Sequence, residues 1–248
     1  MTATPKRDDT PRRRLPQWGS LLLAQLYPPT CVLCGADGLP ALDLCANCLT
    51  ELPHNQHACH RCALPLSADQ AIETPCGTCQ RHPPPFARAH IAFRYTDPIP
   101  ALVAGAKFRG RIPLIRVLGA CLVQMLIQED AMRPELIVPV PLHPSRLRAR
   151  GYNQALEIAR GPARTLGIEI DAGCCQRVRA TAPQMGLERR ARLRNMRGAF
   201  RVTKPLAARH IAIVDDVVTT GETAAELART LRRSGVERVD LWAIARTP

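Results

Sequence analysis

The segment Ile211-Ala212-Ile213-Val214-Asp215-Asp216-Val217-Val218-Thr219-Thr220-Gly221-Glu222-Thr223 passes from apolar to acidic to hydroxyl-rich and then into a helical pattern. Four consecutive apolar residues read as a strand buried on both faces, as in a parallel sheet. In open α/β sheets ligands sit beyond the carboxyl ends of the strands. Asp215 and Asp216 are therefore expected in a crevice where ribose hydroxyls can donate to them. The turn from Thr219 to Thr223 suits a phosphate. Gly221 lets the backbone approach closely, the threonines add hydroxyl donors, and the helix that follows offers amides at its positive end. Asp215, Asp216, Val217, Val218, Thr219, Thr220, Gly221, Glu222 and Thr223 thus form a candidate cradle for a ribose phosphate.

The same alternation of strand and helix extends outward from this cradle. Ala89, Ile91 and Phe93 alternate as a strand, residues 113–128 carry an apolar helical stripe, and residues 136–140 form a second buried strand. Residues 153–166 and 222–233 read as helices, the latter burying Ala224, Leu227, Ala228 and Leu231 and stopping at Gly235; residues 239–245 read as a further strand. This predicts an α/β fold on a mainly parallel sheet covered on both faces. Gly161-Pro162 conflicts with its helix, because proline removes a backbone donor and clashes with the preceding turn, which predicts a kink or an early end.

Arg146, Arg148 and Arg150 follow the second buried strand at alternate positions. Leaving the carboxyl edge of the sheet, they suit a group with several negative oxygens, which guanidinium forks bind in pairs; a solvated basic loop is the plainer alternative. Arg177, Arg179, Arg189, Arg190, Arg192, Arg194, Arg197 and Arg201 stand against a single acid, Glu188. Such a segment fits a lid over a ligand or a track for a nucleic-acid backbone. With Phe200 the only aromatic residue nearby, phosphate contact is favoured over base reading. Lys107, one of three lysines with Lys6 and Lys204, either reaches toward ligand phosphates or is an ordinary surface lysine.

Nearer the N-terminus, eight of the eleven cysteines fall into four C-x-x-C pairs: Cys31/Cys34, Cys45/Cys48, Cys59/Cys62 and Cys76/Cys79. Each such turn sets two thiolates on one face, and two turns close a four-cysteine zinc site. The expected pairing is sequential, with Cys31, Cys34, Cys45 and Cys48 in one site and Cys59, Cys62, Cys76 and Cys79 in the other; a crossed pairing is the alternative. Four thiolates leave no open coordination position, so about two zinc ions per chain are expected in a structural role. A segment so poor in large apolar residues would not fold without them. His54, His57 and His60 are read as surface residues between the pairs, and Cys121, Cys174 and Cys175 as ordinary thiols. Arg81-His82-Pro83-Pro84-Pro85 is a stiff linker. It separates a disordered basic tail (1–19) and a double zinc ribbon (20–85) from the α/β domain (86–248).

Net charge is +13 and the isoelectric point about 9.8, which favours polyanionic partners, whether phosphorylated small molecules, nucleic acid or acidic lipid. No apolar run reaches the roughly 18 to 20 residues needed to span a bilayer. Leu21-Leu22-Leu23-Ala24-Gln25-Leu26 behind Arg12-Arg13-Arg14 mimics a secretion signal. It is too short, holds Gln25, and leads into Tyr27-Pro28-Pro29-Thr30-Cys31 instead of a small-residue cleavage site. A cytoplasmic location is expected, where thiolate–zinc sites persist and disulfides do not.

Residues 211–223 resemble the phosphoribosyl diphosphate (PRPP) binding motif of type I phosphoribosyltransferases. The chain from Leu21 onward resembles the ComF family, in its four cysteine pairs, in residues 139–154, and in Gln184, Leu187, Arg192, Asn195, Gly198 and Phe200 of a flexible-loop segment. The resemblance implies a type I phosphoribosyltransferase fold behind a zinc-ribbon domain, and an enzyme that uses PRPP with magnesium and releases pyrophosphate. Asp215 and Asp216 would hold the ribose hydroxyls and stabilise charge at C1′, Thr219 to Thr223 the 5′-phosphate, and Arg146, Arg148 and Arg150 the diphosphate. Lys107, in the family-like Lys107-Phe108-Arg109-Gly110, would reach the phosphates. Glu222 departs from the family, which commonly has a small residue there; a carboxylate beside a phosphate is repulsive unless it turns outward. The implied role is DNA uptake, with single-stranded DNA or competence proteins as partners and Arg189, Arg190, Arg192, Arg194 and Arg197 as nucleic-acid contacts. A metabolic nucleobase-salvage phosphoribosyltransferase and a non-catalytic PRPP-sensing adaptor are the alternatives. The oligomeric state is left open, a dimer included.

Overall fold

A computed structural model describes residues 28–40, 42–68, 70, 74–108, 112–179 and 196–248. The chain divides into two compact units, Met1–Leu49 and Thr50–Pro248. The division falls between the two groups of cysteines, whereas the sequence pointed to prolines 83–85. In the first unit antiparallel bridges join Thr30 to Asp37 and Leu39 to Leu42, and helix α1 begins at its end (Ala46–Glu51). In the second unit the other four cysteines, with α2 (Gly77–Arg81), precede the sheet.

From there the order is β1 (Ala89–Arg94), α3 (Ile99–Phe108), α4 (Ile112–Gln128), β2 (Leu136–Pro139), α5 (Pro144–Arg150), α6 (Gln154–Leu166) and β3 (Glu169–Ile170), then β4 (Cys175–Arg177), β5 (Phe200–Val202), β6 (His210–Val218), α7 (Glu222–Arg233) and β7 (Arg238–Arg246). Five strands form a parallel sheet in the order β1-β7-β6-β2-β3. The apolar run of β6 and the Trp242-Ala243-Ile244-Ala245 run of β7 are buried at its centre, as strands covered on both faces must be. β6 extends beyond the four apolar residues that marked it in the sequence. It stays paired with β7 through Val217 with Ala245 and Val218 with Arg246, while its pairing with β2 stops at Pro139 with Val214. The acid pair therefore lies within β6, where one flank has lost its neighbour. The chain leaves β2 outward to β3 and leaves β6 the other way to β7. The reversal between β2 and β6 opens the crevice where such sheets bind ligands.

α4 and α6 pack together on one face. Gly119 and Gly161 meet at their crossing: a methyl on Gly119 would stand 3.3 Å from the Ile158 carbonyl oxygen, and one on Gly161 3.4 Å from the Gly119 backbone. α6 runs to Leu166 with Pro162 inside it, so the expected early end does not occur. Asn153 caps the helix, accepting from the Ala155 amide at 3.1 Å. Pro162 is buried with Ala155, Ile158 and Ala159, and that packing outweighs one lost donor. α7, with Ala224, Leu227, Ala228 and Leu231 buried as expected, and the antiparallel pair β4–β5 cover the other face. Among the described residues no helix is long and apolar enough to cross a membrane.

Candidate functional site

Side chains alternate along β6. Ile211 and Ile213 join the core beneath α7, and Asp215 continues that side. Asp216 points the opposite way and is met by Lys107 from the last turn of α3, its Nζ 2.7 Å from Asp216 Oδ2. Each carboxylate also accepts from the next amide, Asp215 Oδ1 from Asp216 at 2.8 Å and Asp216 Oδ1 from Val217 at 2.6 Å. Asp215 keeps some solvent exposure as a residue. Its carboxyl is nevertheless pushed up to about 7, first by burial and then by the charge on Asp216; the Asp216 amide, Lys107 and Arg177 oppose this without cancelling it. Such an oxygen is under-compensated by its surroundings and suits hydroxyl donors or a hard cation such as magnesium.

Beyond Val218 the chain turns through Thr219 and Thr220 to Gly221, which has φ 77° and forms the N-cap of α7. Glycine alone takes that left-handed conformation freely. No side chain caps this helix, whereas His143 caps α5 and Asn153 caps α6. The first-turn amides and positive end of α7 are thus open to an anion. Glu222, the first helical residue, is buried and does not turn out to solvent. The carbonyl side of the turn is held by Arg246 at the end of β7. Its Nη1 donates to the Val218 carbonyl at 3.2 Å, to the Thr219 carbonyl and to the Thr247 carbonyl at 2.8 Å. The turn lines a cleft of about 740 Å3 together with Cys62, Cys76, Cys79, residues 82–86, Arg229 and Arg246.

The stretch after β2 is helix α5, where the sequence suggested a loop. It was legible in retrospect: His143 caps it, Pro144 opens it and Gly151 closes it in the left-handed region. Arg146 and Arg150, four residues apart, share one face and are partly buried, Arg150 donating to Gln154 Oε1 at 2.7 Å. Arg148 is exposed on the other face. Tyr152 donates to the Ala106 carbonyl beside Lys107, and Asn153 Nδ2 to the Val140 carbonyl at 3.0 Å, which fixes this corner against the crevice.

Arg177, grouped by sequence with surface arginines, is buried on β4. Its guanidinium lies 5.7 Å above the Phe200 ring and donates to Met196 Sδ at 3.7 Å. Burial lowers its pKa, the Arg146 charge adds to the fall, and Asp215 opposes it. Nothing in the sequence set this residue apart from the other arginines; the short strand β4 buries it on the same side as Cys175. Glu226 was also missed. Buried on α7, it accepts from the Gly198 amide at 2.8 Å and from Arg229 Nη1 at 2.7 Å. Arg197 is exposed, its carbonyl accepting from Arg179 at 2.9 Å. Arg189, Arg190, Arg192 and Arg194, with Gln184, Leu187, Asn195, Arg109 and Gly110, lie outside the described residues.

The ribbon cysteines form two sets of four, Cys31, Cys34, Cys45 and Cys48, and Cys59, Cys62, Cys76 and Cys79, with the sulfurs of each set within 4.8 Å of one another. The pairing is sequential. Cys34 and Cys45, and Cys62 and Cys76, stand 3.7 Å apart. With Zn–S of about 2.3 Å a tetrahedral site has sulfurs roughly 3.8 Å apart, whereas a disulfide needs about 2.05 Å. Amides point at the sulfurs, Cys48 at Cys45 Sγ (3.4 Å) and Cys76 at Cys59 Sγ (3.3 Å). Burial opposes ionisation of Cys59, but the amides of Cys76, Cys62 and Arg61 outweigh it and lower its pKa. Two closed all-sulfur sets fit about two structural zinc ions, and no histidine joins either set among the described residues. Around the second, Cys59, Cys76 and Cys79 are themselves the small core, with Leu64 and Leu66 against them. Cys121, Cys174 and Cys175 are buried outside both sets.

A double zinc ribbon domain matches residues 22–80. Over 229 residues the chain is 37% identical to DNA utilization protein YhgH of Salmonella typhimurium, covering 89% of this chain and 98% of that protein. It is 35% identical over 225 residues to the protein of the same name in Escherichia coli, again over 89% and 98%. It is 33% identical over 212 residues to Competence protein F of Haemophilus influenzae, over 82% and 90%. Among solved structures it is similar to a glutamine PRPP amidotransferase from B. subtilis complexed with ADP and GMP (21% identity, TM-score 0.34, 50% of this chain and 25% of that one). It is also similar to TT1426 from Thermus thermophilus (18%, TM-score 0.33, 54% and 83%). With two four-cysteine sets ahead of a parallel sheet, and relatives matched over nearly their whole length, the chain belongs to the ComF family, with a double zinc ribbon ahead of an α/β domain built on a parallel sheet.

Proposed function

We propose that this chain binds PRPP at the crevice between β2 and β6 as a phosphoribosyltransferase-type protein, and serves DNA uptake. The observation that carries the proposal is the start of α7, which has no side-chain cap and is entered through left-handed Gly221. It stands just beyond an acid pair whose Asp215 lacks full compensation. The amides from Thr220 to Thr223 and the threonine hydroxyls take the 5′-phosphate, and Asp215 and Asp216 accept from the ribose hydroxyls. Arg146 and Arg150, with the buried Arg177, draw the diphosphate toward α5, while Arg148, on the opposite face, takes no part. Lys107 pairs with Asp216 beside the sugar. Magnesium, when bound with the diphosphate, supplies charge neutralisation, and the oxygens of the acid pair are the chain's own donors for it. As pyrophosphate leaves, the two carboxylates stabilise the positive charge developing at C1′.

Kinship with DNA utilization protein YhgH and Competence protein F supports the DNA role, as does a net charge of +13. Arg189, Arg190, Arg192, Arg194 and Arg197 would contact a single strand through its phosphates.

Calorimetric titration with PRPP and magnesium tests the site. The chain should bind, and Asp215→Ala with Asp216→Ala should abolish binding while both zinc ions remain; unchanged affinity in that double variant removes the assignment. Salt-dependent single-stranded DNA binding that vanishes when Arg189, Arg190 and Arg192 are neutralised supports the DNA role. Pyrophosphate release with one free nucleobase would favour a metabolic enzyme instead, and PRPP binding without release for any acceptor would favour an adaptor.

A further inference from the structure

We infer that Arg246 is a positioning residue that couples the second zinc ribbon to the phosphate turn, so that metal held by Cys59, Cys62, Cys76 and Cys79 sets the shape of residues 218–222. The inference rests on the assignment of that turn as the phosphate cradle.

Arg246 closes β7 and is only 7% exposed. A guanidinium placed there is costly unless its donors are used, and it uses them on two elements at once. On one edge, Nη1 donates to the carbonyls of Val218, Thr219 and Thr247. On the other, Nε donates at 3.4 Å to the carbonyl of Cys62, whose sulfur belongs to the second cysteine set. The Thr247 amide adds a bond to the Val218 carbonyl at 3.0 Å, so the end of β7 grips the turn twice.

The bonds decide where the turn's donors point. In a planar trans peptide the carbonyl and the following N–H point in opposite directions. Pinning the Val218 and Thr219 carbonyls toward Arg246 therefore turns the Thr219 and Thr220 amides away from it, to the far side of the turn. The Cys62 carbonyl is itself located by ligation at its own side chain. Metal at that knuckle thus fixes one end of the guanidinium, and the guanidinium fixes the carbonyl side of the turn. A lysine keeps the charge but is a point donor without two edges, so it cannot hold both elements.

The test uses the full zinc-loaded chain and Arg246→Lys, Cys62→Ser and the double variant. Hydrogen exchange of the 218–224 peptide, zinc content and PRPP affinity in magnesium are measured on each. Arg246→Lys should retain both zinc ions, while exchange in the turn quickens and PRPP affinity falls roughly tenfold, the scale of one lost charge-assisted bond. Cys62→Ser, short of one zinc, should quicken the same peptide equally, and the double variant should be no faster than the more affected single one. Unchanged turn exchange in zinc-replete Arg246→Lys, or factors that multiply in the double variant, would overturn the coupling. Should Cys62→Ser lose its fold by circular dichroism, reciprocity decides: zinc affinity at the second site must fall in Arg246→Lys, and an unchanged affinity overturns it. Failure of the unaltered chain to bind PRPP would remove the cradle assignment while the exchange and zinc measurements still decide the coupling.

Discussion

Lys107 Nζ stands 2.7 Å from Asp216 Oδ2, tying the end of α3 to β6 and leaving Asp215 as the less compensated half of the acid pair. Removing that cation should be felt by both acids. In Lys107→Met the Asp215 carboxyl should titrate at a higher pH than in the unaltered chain, followed by carbon-13 resonances of the aspartates. PRPP affinity should fall roughly tenfold for the loss of one charged hydrogen bond. A titration midpoint that does not rise would show that Lys107 does not act on Asp215.

Asp215 also makes stability depend on pH. Its folded value of about 7 lies above that of an unfolded aspartate, so the folded chain binds this proton first. The stabilisation is complete below about pH 4, the unfolded value, and is lost as pH rises through the folded one. Asp215→Asn should remove that slope. Compared by urea denaturation, the unaltered chain should lose ground to the variant across this window; parallel stability profiles would refute the burial of this charge.

Three glycines separate close packing from open space. Gly119→Ala forces a methyl against the Ile158 carbonyl, backbone that cannot swing aside, and should cost about 1–3 kcal/mol. Gly105→Ala meets only the Leu114 Cδ1 tip at 2.8 Å, which can rotate, and it gains helix propensity. Gly221→Ala has nothing nearer than Val218 Cγ1 at 3.9 Å, but it loses the left-handed conformation, at about 1–2 kcal/mol. Urea midpoints at constant slope check the order, with Gly105→Ala the mildest.

Elemental analysis of the reduced protein should find about two zinc ions per chain. Stripping the metal should abolish exchange protection between residues 59 and 79, where the cysteines are the core, while the far-ultraviolet dichroism of the parallel sheet persists. Freshly reduced protein that contains no zinc would discard the ribbons.

Much of this was legible in the residues. The central strands announced themselves because burial on two faces demands unbroken apolar runs, and the cysteine pairs because ligand spacing tolerates little variation. Pro162 misled because an isolated-helix rule ignores what a buried stripe contributes. Arginines 146, 148 and 150 suggested a loop because alternate spacing resembles extended chain, although His143, Pro144 and Gly151 were helix punctuation. Arg246, Arg177 and Glu226 were not legible. Each sits in an ordinary polar position in sequence, and only the meeting of distant elements gives it partners.

The pairing of β1 with β7 has a consequence for how the molecule comes into being. Ala89 lies beside Leu241 and Arg94 beside Arg246, so the flank of β1 waits for a strand made some hundred and fifty residues later. Until then the nascent chain carries unpaired strands and uncovered apolar surface, the condition in which chaperones are recruited and aggregation competes. Contacts this distant in sequence also slow closure of the sheet. Docking of residues 238–246 between β1 and β6 is thus what closes the sheet, and a chain that lacks them has nowhere to hide its middle.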